Sequence, residues 1–364
     1  MSKFGSYKSE DVVFLLKDIS KLIEEQDNIA RESAIQSGIH YSEMLPIEYT
    51  PSKEYMDLFY KSLEETSKKL ALAIGVLCEK LIKERGKNLI LVSLARAGTP
   101  IGILIKRYIK YKYKLDLPHY SISIIRGRGI DENAIKYMLS NHPDMEIQFI
   151  DGWTGKGAIK NTLTKAADDY YEKYGVKLND TLAVLADPAY CADYYGIRED
   201  FLIPSACLNS TVSGLVSRTV LRDDLIDLDD FHGAKYYEDL EKDDVSNLFI
   251  DTVSRFFSEI INEVKDYEKT NKDIEGEIAN LGKHDLDLIA NTYDIEDINF
   301  IKPGIGETTR VLLRRIPYRV IVSDMEDEKL EHIILMAKEK NIKIDVLPLK
   351  SYRCCGIIKN LKDT

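Results

Sequence analysis

The chain has 364 residues and a mass of 41.6 kDa, with 50 Lys and Arg against 61 Asp and Glu for a net charge of -11. That length can bury at least one large core and favours two domains, and the acidic balance argues against a surface coated throughout for nucleic acid. No run approaches the roughly 18 apolar residues of a membrane span, the N-terminus MSKFGSYKSEDVV lacks a signal-peptide apolar region, and five cysteines show no CxxC pair, so a cytoplasmic protein with reduced thiols is expected.

Residues 1–50 read as an N-terminal extension, in which Asp11 to Glu25 carries apolar residues at helical spacing (Val12, Val13, Leu15, Leu16, Ile19, Leu22, Ile23). Tyr55 to Glu84 predicts one long amphipathic helix. Strand, turn and helix then alternate. NLILVSLA (88–95) is a strand, RAGTP a turn, and Ile101 to Tyr111 a helix; YSISII (120–125), IQFI (147–150) and TLAVLAD (181–187) are further strands. Short apolar strands alternating with helices imply a parallel sheet covered on both faces, and in such sheets ligands bind beyond the carboxyl ends of the strands.

Two strand-end turns have the character of phosphate sites. Arg96-Ala97-Gly98-Thr99-Pro100 opens a helix, with charge from Arg96 and close backbone approach at Gly98. Thr154-Gly155-Lys156-Gly157 turns into a helix from Ala158 and aims free N–H groups outward, and Asp151 stands at the end of the strand before it. A Gly-rich turn can also be a plain connection. The P-loop pattern is not matched, since Gly157 follows Lys156, and no GxGxxG follows the first strand. Arg126 and Arg128 in RGRG add charge after the second strand, or form a solvated loop. SACLNSTVSGLVSRT offers Asn209, Ser210, Thr211 and Ser213 as donors with Arg218 behind; the bland reading is a capped helix start at Asn209 or Ser210.

SLARAGTPIG and FIDGWTGKGA together resemble the pyrophosphate and PRPP loops of type I phosphoribosyltransferases (PRTases). With REDFLIPSACLNSTVSGLVSRTV they resemble the PRTase-like family of bacterial tellurite-resistance and stress operons, over roughly residues 42–220. The resemblance implies phosphoribosyl transfer through an oxocarbenium-like transition state, with Arg96, Ala97 and Gly98 holding pyrophosphate and Asp151 the ribose hydroxyls. Thr154, Gly155, Lys156 and Gly157 would cradle the 5′-phosphate, and magnesium would be held mostly by the ligand's own oxygens and water. The second acid of the usual PRPP loop is missing, because Gly152 and Trp153 follow Asp151. Trp153, the sole tryptophan, is expected to pack the turn. Relatives in this family also carry a cysteine-protease label, for which Cys207 is the candidate nucleophile; its base would be His119, His142 or His232, brought near only by the fold.

Beyond a charged stretch at 266–273, residues 274–364 form a second unit, basic at its end, with 13 Lys and Arg against 9 Asp and Glu from Ile301 onward. Its strands and helices, with GIGETTRVLLRR, resemble the Pelota and L7Ae-type RNA-binding fold. That resemblance implies an RNA-facing turn of Gly304, Gly306, Glu307, Thr308 and Arg310, with Arg314 and Arg315 behind it. Cys354 and Cys355 read as buried small residues on a loop beside that turn. The expected architecture is α/β: a parallel-sheet, Rossmann-like PRTase domain (51–265) and a smaller α/β sandwich (274–364). Expected partners are a phosphorylated ribose or nucleotide and RNA, with a homodimer by analogy. The functions weighed are phosphoribosyl transfer, a nucleotide sensor coupled to RNA, and a cysteine protease.

Overall fold

The computed structural model describes residues 4–27, 31, 34–35, 37–270 and 281–359, apart from the side chains of 268–270 and 314. Six strands form one sheet in the order 13–14, 119–122, 89–94, 146–153, 182–186 and 194–197, and every neighbouring pair is parallel. The strand Leu89–Leu94 is buried along its whole length, as expected of a parallel sheet covered on both faces. Its residues alternate between two cores. Leu89 and Leu91 pack with the helices Lys53–Arg85 and Gly98–Tyr113, whereas Ile90, Val92 and Leu94 pack with Ala134, Ile135, Met138 and Leu163 on the opposite face.

The long helix exists because Leu63, Leu70, Ile74, Leu77 and Leu81 share one stripe, and all five are buried. It ends at Gly86, whose φ of 81° a residue with a side chain rarely adopts.

The helix expected within Asp11 to Glu25 does not form. Val13–Phe14 is instead an edge strand on His119–Ile122, and Lys17–Asp18 pairs with Gly233–Ala234. The apolar spacing that mimicked a helix serves different neighbours: Val12 and Phe14 join one core, Leu15 the other, and Ile19 and Ile23 a third with Leu45 and Val220.

The second sheet has the order 301–303, 354–358, 317–322 and 343–346, mixed in direction. The helices Ile305–Arg314 and Glu331–Glu339 cover one face and Leu281–Tyr293 the other. Cys354 and Cys355 are fully buried, in a strand rather than a loop. The charged stretch is not a simple linker either, since the helix Phe257–Thr270 runs through its first half; residues 271–273 lie outside the described residues.

Chain order places the next strand after Leu89–Leu94 on one side of it and Glu146–Trp153 on the other. The sheet therefore changes direction between these two strands, and a crevice opens at their carboxyl ends. The second domain roofs that crevice. The Asp200 carboxylate accepts the Ile305 N–H at 3.0 Å and the Arg353 N–H at 2.9 Å, and the Arg310 Nε donates to the Ala206 carbonyl at 2.8 Å. Ala189 of the first domain packs with Leu286 and Tyr352 of the second.

Candidate functional site

The crevice is a cleft of about 940 Å³, lined by both domains. Its described lining includes eight Lys and Arg against three Asp and Glu, a local excess of positive charge in a chain whose net charge is -11. The strand-end turns supply its floor. Leu94 to Ala97 enter it from one strand, Asp151 to Lys156 from the next, and Arg126 from the RGRG loop. The Ala95–Arg96 peptide is cis.

Arg218 is the most telling side chain. It is largely withdrawn from water and, among the described residues, makes no side-chain hydrogen bond or ion pair, resting near the Tyr41 ring. Burial, and then repulsion by Arg31, Arg96 and Arg315, pulls its pKa down to about 10. Lys156 behaves alike: burial and the neighbouring Lys302 bring it down to about 8, and its Nζ donates to the Ile298 carbonyl at 2.6 Å. Burial also lowers Lys302, with Arg315 and Arg126 adding repulsion. Crowded, desolvated cations cost free energy that an anion would relieve.

Asp151 is the acid of the floor. Burial pushes its carboxyl up to about 7, opposed only by the N–H of Gly152, which donates at 2.7 Å. Glu48 is spoken for, accepting the N–H and hydroxyl of Ser210 at 3.1 and 3.0 Å and standing 3.8 Å from Arg96. Glu307 pairs with Arg310 at 2.9 Å.

The sequence-predicted residues divide accordingly. Arg96, Ala97, Arg126, Asp151, Thr154, Gly155, Lys156, Asn209, Ser213 and Arg218 all line the cleft, as do Gly306, Glu307 and Arg310. Several others do different work. A Cβ on Gly98 would fall 2.5 Å from the Ile150 carbonyl, so this glycine lets helix and strand pack rather than admitting a ligand. Gly157 lies outside the lining and supplies the φ of 69° that starts the next helix. Arg128 pairs with Glu43 and bonds the Leu221 carbonyl instead of facing the cleft. Ser210 and Thr211 are buried outside the lining. The capped helix foreseen there is only a short 3-10 turn, Ser210–Val212, with no side-chain cap from Asn209.

The expected RNA-facing turn does not face outward. A Cβ on Gly304 would lie 2.7 Å from the Trp153 ring, so this turn is pressed against the first domain, and Thr308 is fully buried. The Arg314 side chain lies outside the described residues. Trp153 packs the turns on both sides, against Gly155 and Gly304. Sequence reasoning missed Arg31, Glu48 and Lys302, which carry no motif and meet only through the fold.

The thiols are guarded. Cys207 is 1% exposed, with its sulfur 3.9 Å from the Ser62 hydroxyl. His119 bonds Ser93 and the Asp11 carbonyl, His142 bonds Tyr120, and His232 bonds Ser123. Cys191, behind the Thr154 loop, has its sulfur 3.1 Å from the Thr154 hydroxyl, and burial together with Asp187 pushes it up to about 12.

Fold and cleft define a two-domain α/β protein with a cation-lined site at the carboxyl edge of a parallel sheet. Residues 5–254 match the family described as "Tellurite-like stress resistance cysteine protease StiP", and residues 280–360 match the PELOTA RNA binding domain. The chain belongs to the first of these families. A relative from Acinetobacter baylyi, named cysteine protease StiP, is 35% identical over 372 residues, covering 98% of this chain and 94% of its own length. A crystal structure of a hypothetical protein from Neisseria gonorrhoeae with bound ppGpp covers 32% of this chain and 66% of its own, at 14% identity and a TM-score of 0.21, too slight a likeness to carry an argument.

These findings overturn the expectation of phosphoribosyl transfer: family and relative are named for a cysteine protease. The turns that suggested the transferase stand at a switch point, a placement that parallel sheets of unrelated chemistry share. The stress-resistance assignment and the C-terminal Pelota match do agree with the sequence reading. Among the described residues, no helix is long and apolar enough to cross a membrane.

Proposed function

We propose that this member of the stress-resistance family works through the interdomain cleft, and that the cleft holds a phosphate-bearing ligand of nucleotide type. The observation that carries this reading is Arg218, withdrawn from water among other arginines and, among the described residues, with no carboxylate paired to it. A dianionic phosphate beside Arg218 and Arg96 would supply that balance, and the backbone N–H groups of Gly155 and Lys156, which line the cleft, would add donors. Asp151, neutral below about pH 7, can donate a hydrogen bond to the ligand without repelling it. Magnesium enters only as a companion of the ligand's phosphates.

Trp153 provides the test, because the chain's sole tryptophan lines the cleft. Titration with pyrophosphate, AMP and ADP, with and without magnesium, should change its fluorescence saturably, and Arg218→Met should weaken binding by about tenfold to a hundredfold. Silence towards every anion at millimolar concentration would sink the reading.

The relative's name favours a second reading, a thiol peptidase using Cys207. Attack by Cys207 needs the segment Ala206 to Leu208, whose flanking residues line the cleft, to swing its buried sulfur outward and a base to reach it. Peptide hydrolysis that iodoacetamide abolishes in the wild type, and that Cys207→Ala lacks, would establish it. Hydrolysis surviving in Cys207→Ala would remove that cysteine from the chemistry.

A further inference from the structure

We infer that the cleft takes a short single-stranded RNA gripped by both domains, and that folded or duplex RNA is not read from the outside of the C-terminal domain. This rests on the cleft being a phosphate site, and three observations take it further.

The turn at Gly304 is built into the domain junction. Asp200 caps the helix that follows it, Gly304 abuts Trp153, and Arg310 reaches the Ala206 carbonyl. Tyr352 donates its hydroxyl to the Gly155 carbonyl and Ser351 to that of Pro188, closing the same junction from the other side. A double helix could reach this turn only by prising the domains apart. The cleft, at about 940 Å³, sits near the top of the roughly 300–1,000 Å³ range of small-ligand pockets, room for a short strand and not for a duplex.

The positive charge is spread over both walls. Arg96, Lys156 and Arg218 come from the sheet domain, and Lys302, Arg310 and Arg315 from its partner. The walls feel each other: Lys302 helps depress Lys156, and Arg315 helps depress Arg218. Successive phosphates of a strand would meet cations of both walls.

Aromatic side chains interleave with the cations. Tyr41 lies 5.8 Å from both the Arg126 and Arg218 guanidinium groups, and Tyr49, on the same lining, is 67% exposed. Exposed rings beside a cationic track are how single strands are held without sequence preference, bases stacking while phosphates pair.

The experiment uses the full chain and measures affinity for UMP and for oligouridylates of two, four and eight nucleotides, alongside a blunt RNA hairpin. Affinity should rise about tenfold or more from UMP to the tetranucleotide, and the hairpin should bind no better than UMP. Lys302→Gln with Arg315→Gln should remove most of the rise with length, lowering tetranucleotide affinity far more than UMP affinity, circular dichroism confirming that the variant is folded. UMP binding with no gain on lengthening would overturn the inference and leave the phosphate site standing. A hairpin that binds as tightly as the tetranucleotide would also overturn it. Failure of UMP and of every oligonucleotide would remove both.

Discussion

Arg107 and Arg218 are both drawn out of water, and the chain provides for them in opposite ways. Arg107, on the helix Gly98–Tyr113, donates two hydrogen bonds of 2.7 Å to Asp11 and one of 2.7 Å to Asp251, tying the N-terminal segment and a late helix to that helix. Arg218 faces the cleft with Arg31, Arg96 and Arg315 around it and no ion pair among the described residues. A structural arginine arrives with its carboxylates, because folding must offset its desolvation within the chain. An arginine without such a partner among the described residues is what the proposed anion would balance.

The comparison breaks most visibly in stability. Arg107→Leu strands the Asp11 carboxylate, whose side chain is 7% exposed, and should cost about 3 kcal/mol in denaturant unfolding. Arg218→Met removes a repelled, desolvated charge and should leave stability unchanged or raise it by about 1 kcal/mol. Anion affinity should move the other way: intact in the folded Arg107 variant and weakened about tenfold to a hundredfold in the Arg218 variant. A clear loss of stability in Arg218→Met would mean that this arginine holds the fold after all.

A second test uses pH. Burial raises Asp151 to about 7, above the roughly 3.9 of an unfolded aspartate, so the folded chain binds this proton more tightly. Its contribution to stability is complete below about pH 4 and is lost as pH rises through 7; Asp200, raised to about 6 by burial, acts in the same direction. Anion affinity should fall about tenfold between pH 6 and 8 as Asp151 gains charge, with a further fall as Lys156 loses its own near 8. Asp151→Asn should abolish the first step and keep the second. A pH profile that is the same in both proteins would show that Asp151 does not sense the ligand.

The sheet strands were legible because each is an apolar run bounded by a turn, and a strand buried on both faces needs nothing subtler. Asp151, Lys156 and Arg96 were legible for the same reason, since strand ends point to crevices. The error at Val13 shows the limit: two-residue edge strands whose side chains serve three different cores imitate helical spacing. The cleft itself was beyond local pattern. Arg31, Glu48 and Lys302 carry no motif, and whether a charge such as that of Arg218 is balanced is known only when its neighbours are. The Gly304 turn was recognised as special, but its direction depends on Asp200 and Trp153, a hundred residues or more away.

The smallest test lies within one tetrapeptide, where Arg126 and Arg128 repeat the comparison two residues apart. Arg128 pairs with Glu43, both side chains being 28% exposed, and bonds the Leu221 carbonyl. Arg126 is exposed, lines the cleft, and has the Tyr41 ring at 5.8 Å. Arg128→Gln should therefore cost under about 1 kcal/mol of stability, as partly exposed ion pairs do, and leave anion affinity alone. Arg126→Gln should do the reverse, lowering affinity about threefold and reducing its dependence on salt, with no measurable change in unfolding. Equal effects of the two substitutions on affinity would mean that net charge near the cleft matters and the pairing of each arginine does not, and the distinction between Arg107 and Arg218 would then need another cause.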